Sequence, residues 1–272
     1  MSVQTEIIAA LGVSATFDAA GEAERRVGFL EHYMATSGLR AYVLGISGGI
    51  DSLTAGLLAQ SAVRRLRQGG YDSEFVAVRL PYGTQADEHH AQLALDAIRP
   101  DRTVVINVRS ASDAIWHEIK GVASDPDSST DGDVLLGNVK ARQRMVAQFA
   151  LAGSLGGLVV GTDHAAEAVM GFFTKFGDGA ADLLPLAGLN KRRVRAIASH
   201  LGAPSELVNK VPTADLEDGR PMRPDEDVYG VTYDQIDDYL EGKPVDRSAA
   251  ATIVRAYRRT AHKRALPVTP VP

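Results

Sequence analysis

The sequence predicts a doubly wound α/β fold, in which helices cover both faces of a parallel sheet. Segments with helical spacing separate four apolar, β-branched runs: AYVLGI (41–46), EFVAVRL (74–80), TVVINV (103–108) and LGGLVVGT (155–162). Apolarity along these runs is continuous rather than alternating, which is typical of strands that are buried on both faces. Because strand and helix alternate along the chain, right-handed crossovers and a parallel sheet follow.

Apolar residues that recur every three or four positions predict the helices. These cover 53–67, 86–98, 134–153, 191–201, 232–241 and 247–263, the last forming a helical tail, and the N-terminal segment adds an amphipathic helix pair. Asn190 is the expected N-cap of the fourth helix, and Gly202 is its expected C-terminal stop. Two turn-rich stretches, 121–133 and 209–227, fit no element, and the second has the length of a lid or a disordered loop.

Size and composition indicate one globular domain. A chain of 272 residues with 45% hydrophobic content can bury a full core, and no repeat or linker divides it, so residues 1–272 are predicted to form a single domain. No apolar stretch approaches the roughly 20 residues of a membrane-spanning helix. The N-terminus lacks the basic region and cleavage site of a secretory signal. We therefore expect a cytoplasmic protein without a membrane partner.

The absence of cysteine excludes several chemistries. With no cysteine, the chain has no disulfide framework, thiolate nucleophile, cysteine-bound zinc or persulfide chemistry. A net charge of −5 argues against a nucleic-acid partner. Basic residues still cluster at 190–195 and 258–264, and each cluster is either a solvated helix face or a local seat for a polyphosphate ligand.

A glycine loop, GISGGIDS (45–52), directly follows the first predicted strand. Ligands of open α/β sheets bind at the carboxyl ends of the strands, where Gly48 and Gly49 would let the backbone and the helix amides approach a phosphate. The loop matches neither the Walker A pattern nor G-x-G-x-x-G. An aspartate at the helix start, Asp51, suits a phosphate site only if a cation lies between them. Alternatively, Asp51 or Ser52 simply caps the helix.

These residues resemble two levels of a known superfamily. SGGIDS (47–52) resembles the signature of the N-type ATP pyrophosphatases, which cleave ATP between the α and β phosphates and transfer AMP to an oxygen. Ile50 departs from the glutamine that is more usual there. Five further segments resemble the ammonia-dependent NAD synthetases, so that the resemblance covers most of the chain after residue 40: 137–145, 161–195, 210–216, 233–240 and 258–264. It implies a Rossmann-like fold of the adenine nucleotide alpha hydrolase type.

The resemblance also implies a reaction. Nicotinic acid adenine dinucleotide (deamido-NAD) and ATP would give an adenylated carboxylate and pyrophosphate, and ammonia would then displace AMP to form NAD. Adenylation supplies a leaving group, while attack requires neutral ammonia, which a base or a dry anionic site favours. Glutamine-dependent relatives add a glutaminase domain with a cysteine nucleophile, and this chain has no cysteine. Ammonia would therefore be free or delivered by a partner, and a homodimer with the dinucleotide site at the subunit boundary is implied.

Residue roles follow from the same resemblance. Positions implied to bind ATP are Gly45, Ile46, Ser47, Gly48, Gly49, Ile50, Asp51, Ser52, Thr162, Lys191 and Thr213. Magnesium would be held by Asp51 and Glu167. Positions implied to bind deamido-NAD are Arg142, Lys175, Asp182, His262 and Lys263. Catalytic roles are implied for Lys191 and for Asp178, which would orient or deprotonate ammonia.

Other interpretations stay open at this point. Glu167 could be an exposed helical glutamate, Asp178 a turn aspartate before glycine, and 258–264 a solvated basic face. As for function, another AMP-forming ligase of the superfamily is possible, such as a guanylate-synthetase-type amination or a tRNA-modifying enzyme. A non-catalytic ATP-binding module of the same fold is the alternative from a different class, although it would not need Asp51, Glu167 and Lys191 together.

Overall fold

The computed structural model describes residues 2–83, 88–122, 132–213 and 224–270. Its sheet is parallel and contains, in the order β3-β2-β1-β4, the strands β1 (Ala41–Gly45), β2 (Glu74–Arg79), β3 (Arg102–Val105) and β4 (Gly157–Val159). Val43 of β1 pairs with Val76 of β2 and with Val159 of β4, which fixes the register. A single parallel bridge between Val160 and Leu183 extends the sheet beyond β4. The predicted doubly wound fold is confirmed.

Helices fill the connections between these strands and continue after the sheet. In chain order they are α1 (Val3–Ala10), α2 (Ala19–Ser37), α3 (Ile50–Gln68), α4 (Glu88–Ile98), α5 (Arg109–Val122), α6 (Gly132–Leu155), α7 (Ala165–Met170), α8 (Lys191–His200), α9 (Ser205–Val208), α10 (Asp225–Tyr229), α11 (Tyr233–Leu240) and α12 (Arg247–Arg259), followed by a 3-10 turn (Ala261–Lys263). None of the helices in the described ranges is both long and apolar enough to cross a membrane.

Alternate strand residues face opposite sides of the sheet, and both sides are buried as predicted. Tyr42 and Leu44 of β1 pack into the larger core, which α2, α3 and α8 cover. Val43 points the other way, into a smaller core against α6. A third cluster, including Ile236 and Ile253, joins α1, α7, α11 and α12 beside the sheet. That cluster anchors the helices that complete the site described below.

Several predicted boundaries were wrong. Strand 103–108 ends at Val105, and strand 155–162 shrinks to three residues because α6 runs to Leu155. The helix predicted at 247–263 ends at Arg259 and tightens into a 3-10 turn. Both turn-rich stretches contribute to helices at their described ends, which include Val122, Gly132 and α10, while 123–131 and 214–223 lie outside the described residues.

One full helix, α5, was not predicted at all. It begins with the sequence RSAS, which is typical of turns, and within it Ser112 and Trp116 are the residues classed as buried. By contrast, both predicted ends of α8 are confirmed. Asn190 caps it by accepting a hydrogen bond from Arg193 N at 3.0 Å, and Gly202 adopts the left-handed φ of +82° just beyond it.

Candidate active site

A cleft of about 500 Å³ opens at the carboxyl ends of β1 and β4. The chain leaves β1 toward β2 and β3 on one side and returns to β4 on the other, so the strand order reverses between these two strands. Open α/β sheets bind their ligands at such a switch point. The loop after β1 carries the glycine motif, and the loop after β4 carries Thr162, Asp163 and His164.

The glycine loop leaves the start of α3 without a side-chain cap. Gly49 is the N-cap, and no side chain bonds to the helix there, so the interpretation of Asp51 or Ser52 as the cap is wrong. Ser52 instead holds the loop, since its Oγ accepts from Ser47 N at 3.3 Å. Gly48 has φ +85°, and a Cβ on it would lie 2.7 Å from Ala91 N. Gly48 is therefore required by the turn and by close packing of α4.

Lys191 connects the starts of α3, α7 and α8. It is the first residue of α8, where Asp237 of α11 accepts hydrogen bonds from Lys191 N at 3.0 Å and Arg192 N at 2.7 Å. The Lys191 side chain is 1% exposed, and its Nζ lies 2.7 Å from Asp51 Oδ2 and 3.7 Å from Glu167 Oε1. These two carboxylates remove the electrostatic conflict between a cation and the helix N-terminus.

His164 completes this cluster and was not predicted from the sequence. Its Nδ1 accepts a hydrogen bond from Glu167 N at 3.4 Å, which makes His164 the N-cap of α7. Its Nε2 lies 3.1 Å from Lys191 Nζ, 3.2 Å from Glu167 Oε1 and 3.4 Å from Asp51 Oδ1. His164 therefore fixes Glu167 through the backbone and both carboxylates through its ring.

Mutual attraction within the cluster determines its protonation. Burial alone would raise the pKa of Asp51, but Lys191 and His164 outweigh it and lower that pKa well below its usual range. Burial and the charge of Lys191 would lower the pKa of His164, yet Glu167 and Asp51 outweigh them and raise it. Against its burial, the same two carboxylates raise the pKa of Lys191. The cluster thus keeps the Asp51 carboxylate charged beneath the cleft.

These carboxylates fit a divalent cation. Ligand atoms of Asp51, His164 and Glu167 lie within 4.8 Å of one another. Asp51 Oδ1 is buried without a hydrogen-bond partner, so one oxygen is left for a ligand. Magnesium prefers oxygen ligands and usually binds through one or two carboxylates plus phosphate. Asp51 and Glu167 are therefore suitable ligands for Mg²⁺, and His164 positions these two carboxylates.

Most residues predicted to bind ATP line the same cleft. In the described part of the chain, the predicted residues in its wall are Gly45, Ile46, Ser47, Gly49, Ile50, Asp51, Ser52, Thr162, Glu167, Asp178, Lys191, Thr213 and Lys263. Gly48 does not line it, because it faces α4. Thr213 pairs with Pro224 in an antiparallel bridge. The predicted ordering of 209–227 over ATP falls largely on residues outside the described ranges.

Three of the predicted deamido-NAD residues meet at a rim outside the cleft. Arg142 Nη2 donates to Lys175 O at 3.3 Å, and Lys175 Nζ donates to His262 O at 2.6 Å. The 3-10 turn that contains His262 is thereby fastened to the loop after α7. The residues Arg142, Lys175 and His262 are called the rim below.

The remaining predicted residues are engaged with backbone. Asp182 is exposed and does not line the cleft, and its Oδ2 accepts from Val159 N at 2.7 Å, holding the end of β4. Lys263 Nζ donates to Gly171 O at 2.9 Å and to Phe173 O at 2.8 Å.

Sequence reasoning missed other residues of the cleft wall. Gln148 reaches from α6 and accepts from Gly45 N at 2.7 Å, so it fixes the end of β1. Asp163 and Asp225 also line the cleft. Nothing in the local pattern marks Gln148, because its helix is remote in sequence. Asp163 could have been found from its position at the carboxyl end of a strand, next to Thr162.

A glycine loop and two metal-suited carboxylates at the switch point define a Rossmann-like α/β protein of the PP-loop class. Comparisons with known proteins place it further. The family model described as NAD synthase matches residues 22–267. The chain is 61% identical over 263 residues to the NH(3)-dependent NAD(+) synthetase of Burkholderia pseudomallei (strain 1106a), covering 97% of this chain and 93% of the relative. This chain belongs to the NAD synthase family.

Solved structures agree with that assignment. A crystal structure of NAD+ synthetase from Burkholderia pseudomallei matches with a TM-score of 0.84 at 59% identity, covering 97% of this chain and 96% of that chain. The structure of NMN synthetase from Francisella tularensis matches with a TM-score of 0.81 at 33% identity, covering 94% of this chain and 99% of that chain. Structures of this fold are therefore named for two products of different size, the dinucleotide NAD and the mononucleotide NMN.

Proposed function

We propose that this chain is an AMP-forming ligase that converts deamido-NAD to NAD with ATP and ammonia, the last step of NAD biosynthesis. One observation carries the proposal: Asp51, Glu167 and Lys191 converge at the switch point of a chain that is 61% identical to an NH(3)-dependent NAD(+) synthetase. A non-catalytic ATP-binding module would not need this buried cluster.

In the first half-reaction, the residues of the glycine loop and α8 bind and orient ATP. The uncapped amides at the start of α3 face the cleft and suit the leaving pyrophosphate. When bound, Mg²⁺ held by Asp51 and Glu167 would neutralise charge on the phosphates. Lys191, which also lines the cleft, would donate to a phosphate oxygen. Thr162 and Thr213 line the cleft wall and supply further contacts.

The rim would bind the second substrate. Arg142 and Lys175 offer cationic groups to a pyrophosphate, and their present partners are backbone carbonyls rather than carboxylates. Breaking such hydrogen bonds costs less than separating an ion pair. Lys263, which lies in the cleft wall beside the rim, would face the same dinucleotide, and Asp182 would offer its exposed carboxylate to a hydroxyl.

In the second half-reaction, ammonia attacks the adenylated carboxylate. A C–N bond forms, the C–O bond to AMP breaks, and AMP leaves with the electron pair. Asp178 lies in the cleft wall and would orient the nitrogen. We propose free ammonia as the donor, a single domain across the chain and a homodimer that completes the dinucleotide site at its subunit boundary. The cytoplasmic location remains a prediction.

Substrate size separates this function from that of the neighbouring NMN synthetase. The purified protein would be given ATP, Mg²⁺ and ammonium with either deamido-NAD or the corresponding mononucleotide, and amide formation would be measured. We expect kcat/KM for the dinucleotide to be at least about 100-fold higher. A preference for the mononucleotide would reassign the substrate. Release of pyrophosphate without either pyridine nucleotide would point to another ligase, and ATP binding with no turnover to a non-catalytic module.

A further inference from the structure

We infer that an exposed arginine face on α12 attracts the anionic substrates and guides them to the rim of the cleft. The face consists of Arg255, Arg258 and Arg259, and we call it the α12 arginine face. The inference rests on the proposed function, because it concerns how ATP and deamido-NAD reach the site. It deepens that function by assigning substrate capture to a surface outside the cleft, whose described wall includes none of these arginines.

The sequence of α12 separates an apolar side from a basic side. Ala249, Ile253 and Ala256 are buried in the cluster that joins α12 to α7 and α11. The three arginines are spaced i, i+3 and i+4, so they are neighbours on the helix surface, and all three are exposed. Their side chains border one surface groove of about 700 Å³, which is completed by Val3, Ala250, Ala251 and Val254.

The α12 arginine face has no counter-charge among the described residues. None of its three side chains forms an ion pair or a hydrogen bond with any of them. Exposed arginines elsewhere are paired, for example Arg67 with Asp101 at 2.6 Å and Arg102 with Glu74 at 3.1 Å. A paired charge is largely cancelled in the surrounding water, whereas neighbouring unpaired charges add. Positive potential is therefore concentrated at α12 on a chain whose net charge is −5.

This face continues directly into the rim. Arg259 is the last residue of α12, and the 3-10 turn that follows, Ala261–Lys263, carries the rim histidine. Burial lowers the pKa of Lys263, and the positive charges of Arg259 and Arg142 lower it further, while Asp178 opposes them. The end of α12, the rim and the cleft wall therefore form one connected set of cationic groups.

Distance and charge both allow the arginine face to act on an approaching substrate. A helix rises about 1.5 Å per residue, so Arg255 lies roughly 6 Å from Arg259 along the axis, within the Debye length of about 10 Å at 0.1 M salt. ATP carries a triphosphate, and deamido-NAD carries a pyrophosphate and a carboxylate. Five carboxylates line the described cleft wall against four lysine and arginine side chains, so the wall itself has no excess of positive charge. A cationic surface beside the cleft raises the local concentration and the association rate of anions.

The test neutralises the whole face in the triple variant Arg255→Gln, Arg258→Gln and Arg259→Gln. At about 20 mM ionic strength, kcat/KM for deamido-NAD should fall about tenfold, and at about 0.5 M salt it should lie within about twofold of wild type. The kcat at saturating substrates should be unchanged, because these arginines do not contact the reacting atoms. The KM for ammonium, which is a cation, should not rise.

The matched control is the triple variant Arg40→Gln, Arg64→Gln and Arg67→Gln. It loses the same charge at the far end of the sheet, because Arg40 precedes β1, and Arg64 and Arg67 lie in the last two turns of α3. That helix begins at the glycine loop and runs for 19 residues, which is roughly 28 Å. The control should match wild type at both salt concentrations.

A second readout does not depend on synthetase activity. The association rate of an ATP analogue that carries a methylanthraniloyl fluorophore can be measured by stopped flow without turnover. At low salt it should fall about fivefold in the α12 variant, and it should be unchanged in the control.

Three outcomes would overturn the inference. A loss of kcat/KM that persists at high salt would mean that the arginines act through contact or structure rather than through their charge. Unchanged values at low salt would remove the α12 arginine face from substrate capture. An equal loss in the control would assign the effect to net charge alone. The proposed function fails separately, if wild-type protein forms no NAD, and the association rate of the ATP analogue then still tests the arginine face.

Discussion

Positive charge is balanced differently in two parts of the site. We call Asp51, Glu167 and Lys191 the floor of the cleft and compare it with the rim. At the floor, Lys191 is buried and its ammonium is neutralised by Asp51 at 2.7 Å and Glu167 at 3.7 Å. At the rim, Lys175 donates to the carbonyl of His262, and Arg142 to the carbonyl of Lys175. A buried pair leaves a costly charge when one partner is removed, whereas an exposed contact to a carbonyl does not. The floor is therefore preorganised, while the rim stays available for a ligand.

The largest expected effect comes from breaking the floor with Lys191→Ala. Loss of a preorganised phosphate donor should lower kcat for NAD formation about 10²–10³-fold. Removing the lysine partner of two half-buried carboxylates should also cost about 3 kcal/mol of stability. Mg²⁺ should restore part of the lost Tm, because it replaces the missing positive charge. Steady-state kinetics and thermal unfolding with and without Mg²⁺ measure both effects.

The matched control for that variant is Lys243→Ala. Lys243 is an exposed lysine whose Nζ pairs with Glu241 at 2.7 Å and Asp238 at 3.1 Å. Surface pairs of this kind contribute about 0–1 kcal/mol. Activity should be unchanged and Tm nearly so. If Lys191→Ala behaved like Lys243→Ala, the floor would not be preorganised for catalysis.

A second break of the floor, Asp51→Asn, should act through the metal. The amide removes the negative charge of this ligand and replaces one of its two oxygens with an NH2 group, so affinity for Mn²⁺ as a probe of the Mg²⁺ site should fall at least about tenfold. Titration followed by electron paramagnetic resonance measures this without relying on activity. Unaltered Mn²⁺ affinity in the presence of ATP would place the metal elsewhere.

A substitution in the rim should change the KM for deamido-NAD and leave ATP binding nearly unchanged. Lys175→Ala removes a cation and one carbonyl contact, so KM for deamido-NAD should rise about tenfold while the Kd for ATP stays within about twofold. Kinetics at saturating ATP and direct ATP binding separate the two. A change in ATP affinity of the same size would show that floor and rim are one site rather than two.

A pH-dependent stability gain is expected for Asp163→Asn, because burial and the neighbouring carboxylates Glu167 and Asp178 raise the pKa of Asp163. The folded-state pKa of Asp163, about 8, lies above the unfolded value, so the folded protein binds this proton more tightly. Wild-type stability must then fall as pH rises from about 4 toward 8, and asparagine removes that loss. The difference in Tm, variant minus wild type, should be near zero at pH 4 and increase steadily as the pH rises toward 8. A constant difference would show that Asp163 titrates normally.

Sequence patterns predicted the floor better than the rim, for a physical reason. The strand before Gly45 and the helix after it are local, so the position of the glycine loop follows from periodicity alone. Asp51 lies at the end of this loop, whereas Glu167 and Lys191, in the first turns of α7 and α8, were assigned their roles through the family resemblance. His164 was not predicted because a histidine that caps a helix has no distinctive sequence pattern. The α5 segment was missed because few of its residues are buried and its start resembles a turn.

The rim residues could be named only through the family resemblance. Nothing in 137–145 or 258–264 indicates that α6 and the C-terminal turn meet, because their contact depends on packing of the tail helices against α7. Asp182 is an example: its carboxylate accepts a hydrogen bond from Val159 N, and no sequence pattern predicts this contact. A second subunit would add contacts that lie beyond a single chain.

The most direct measurement is the stoichiometry of the complete reaction. Purified protein would be incubated with ATP, Mg²⁺, ammonium and deamido-NAD near pH 8.5, and NAD and AMP would be quantified together, with Asp51→Ala in parallel. The proposed function predicts equal amounts of NAD and AMP from wild type and neither from the variant. ATP binding without NAD formation, from any nitrogen donor, would contradict the proposed synthetase activity and leave only the fold.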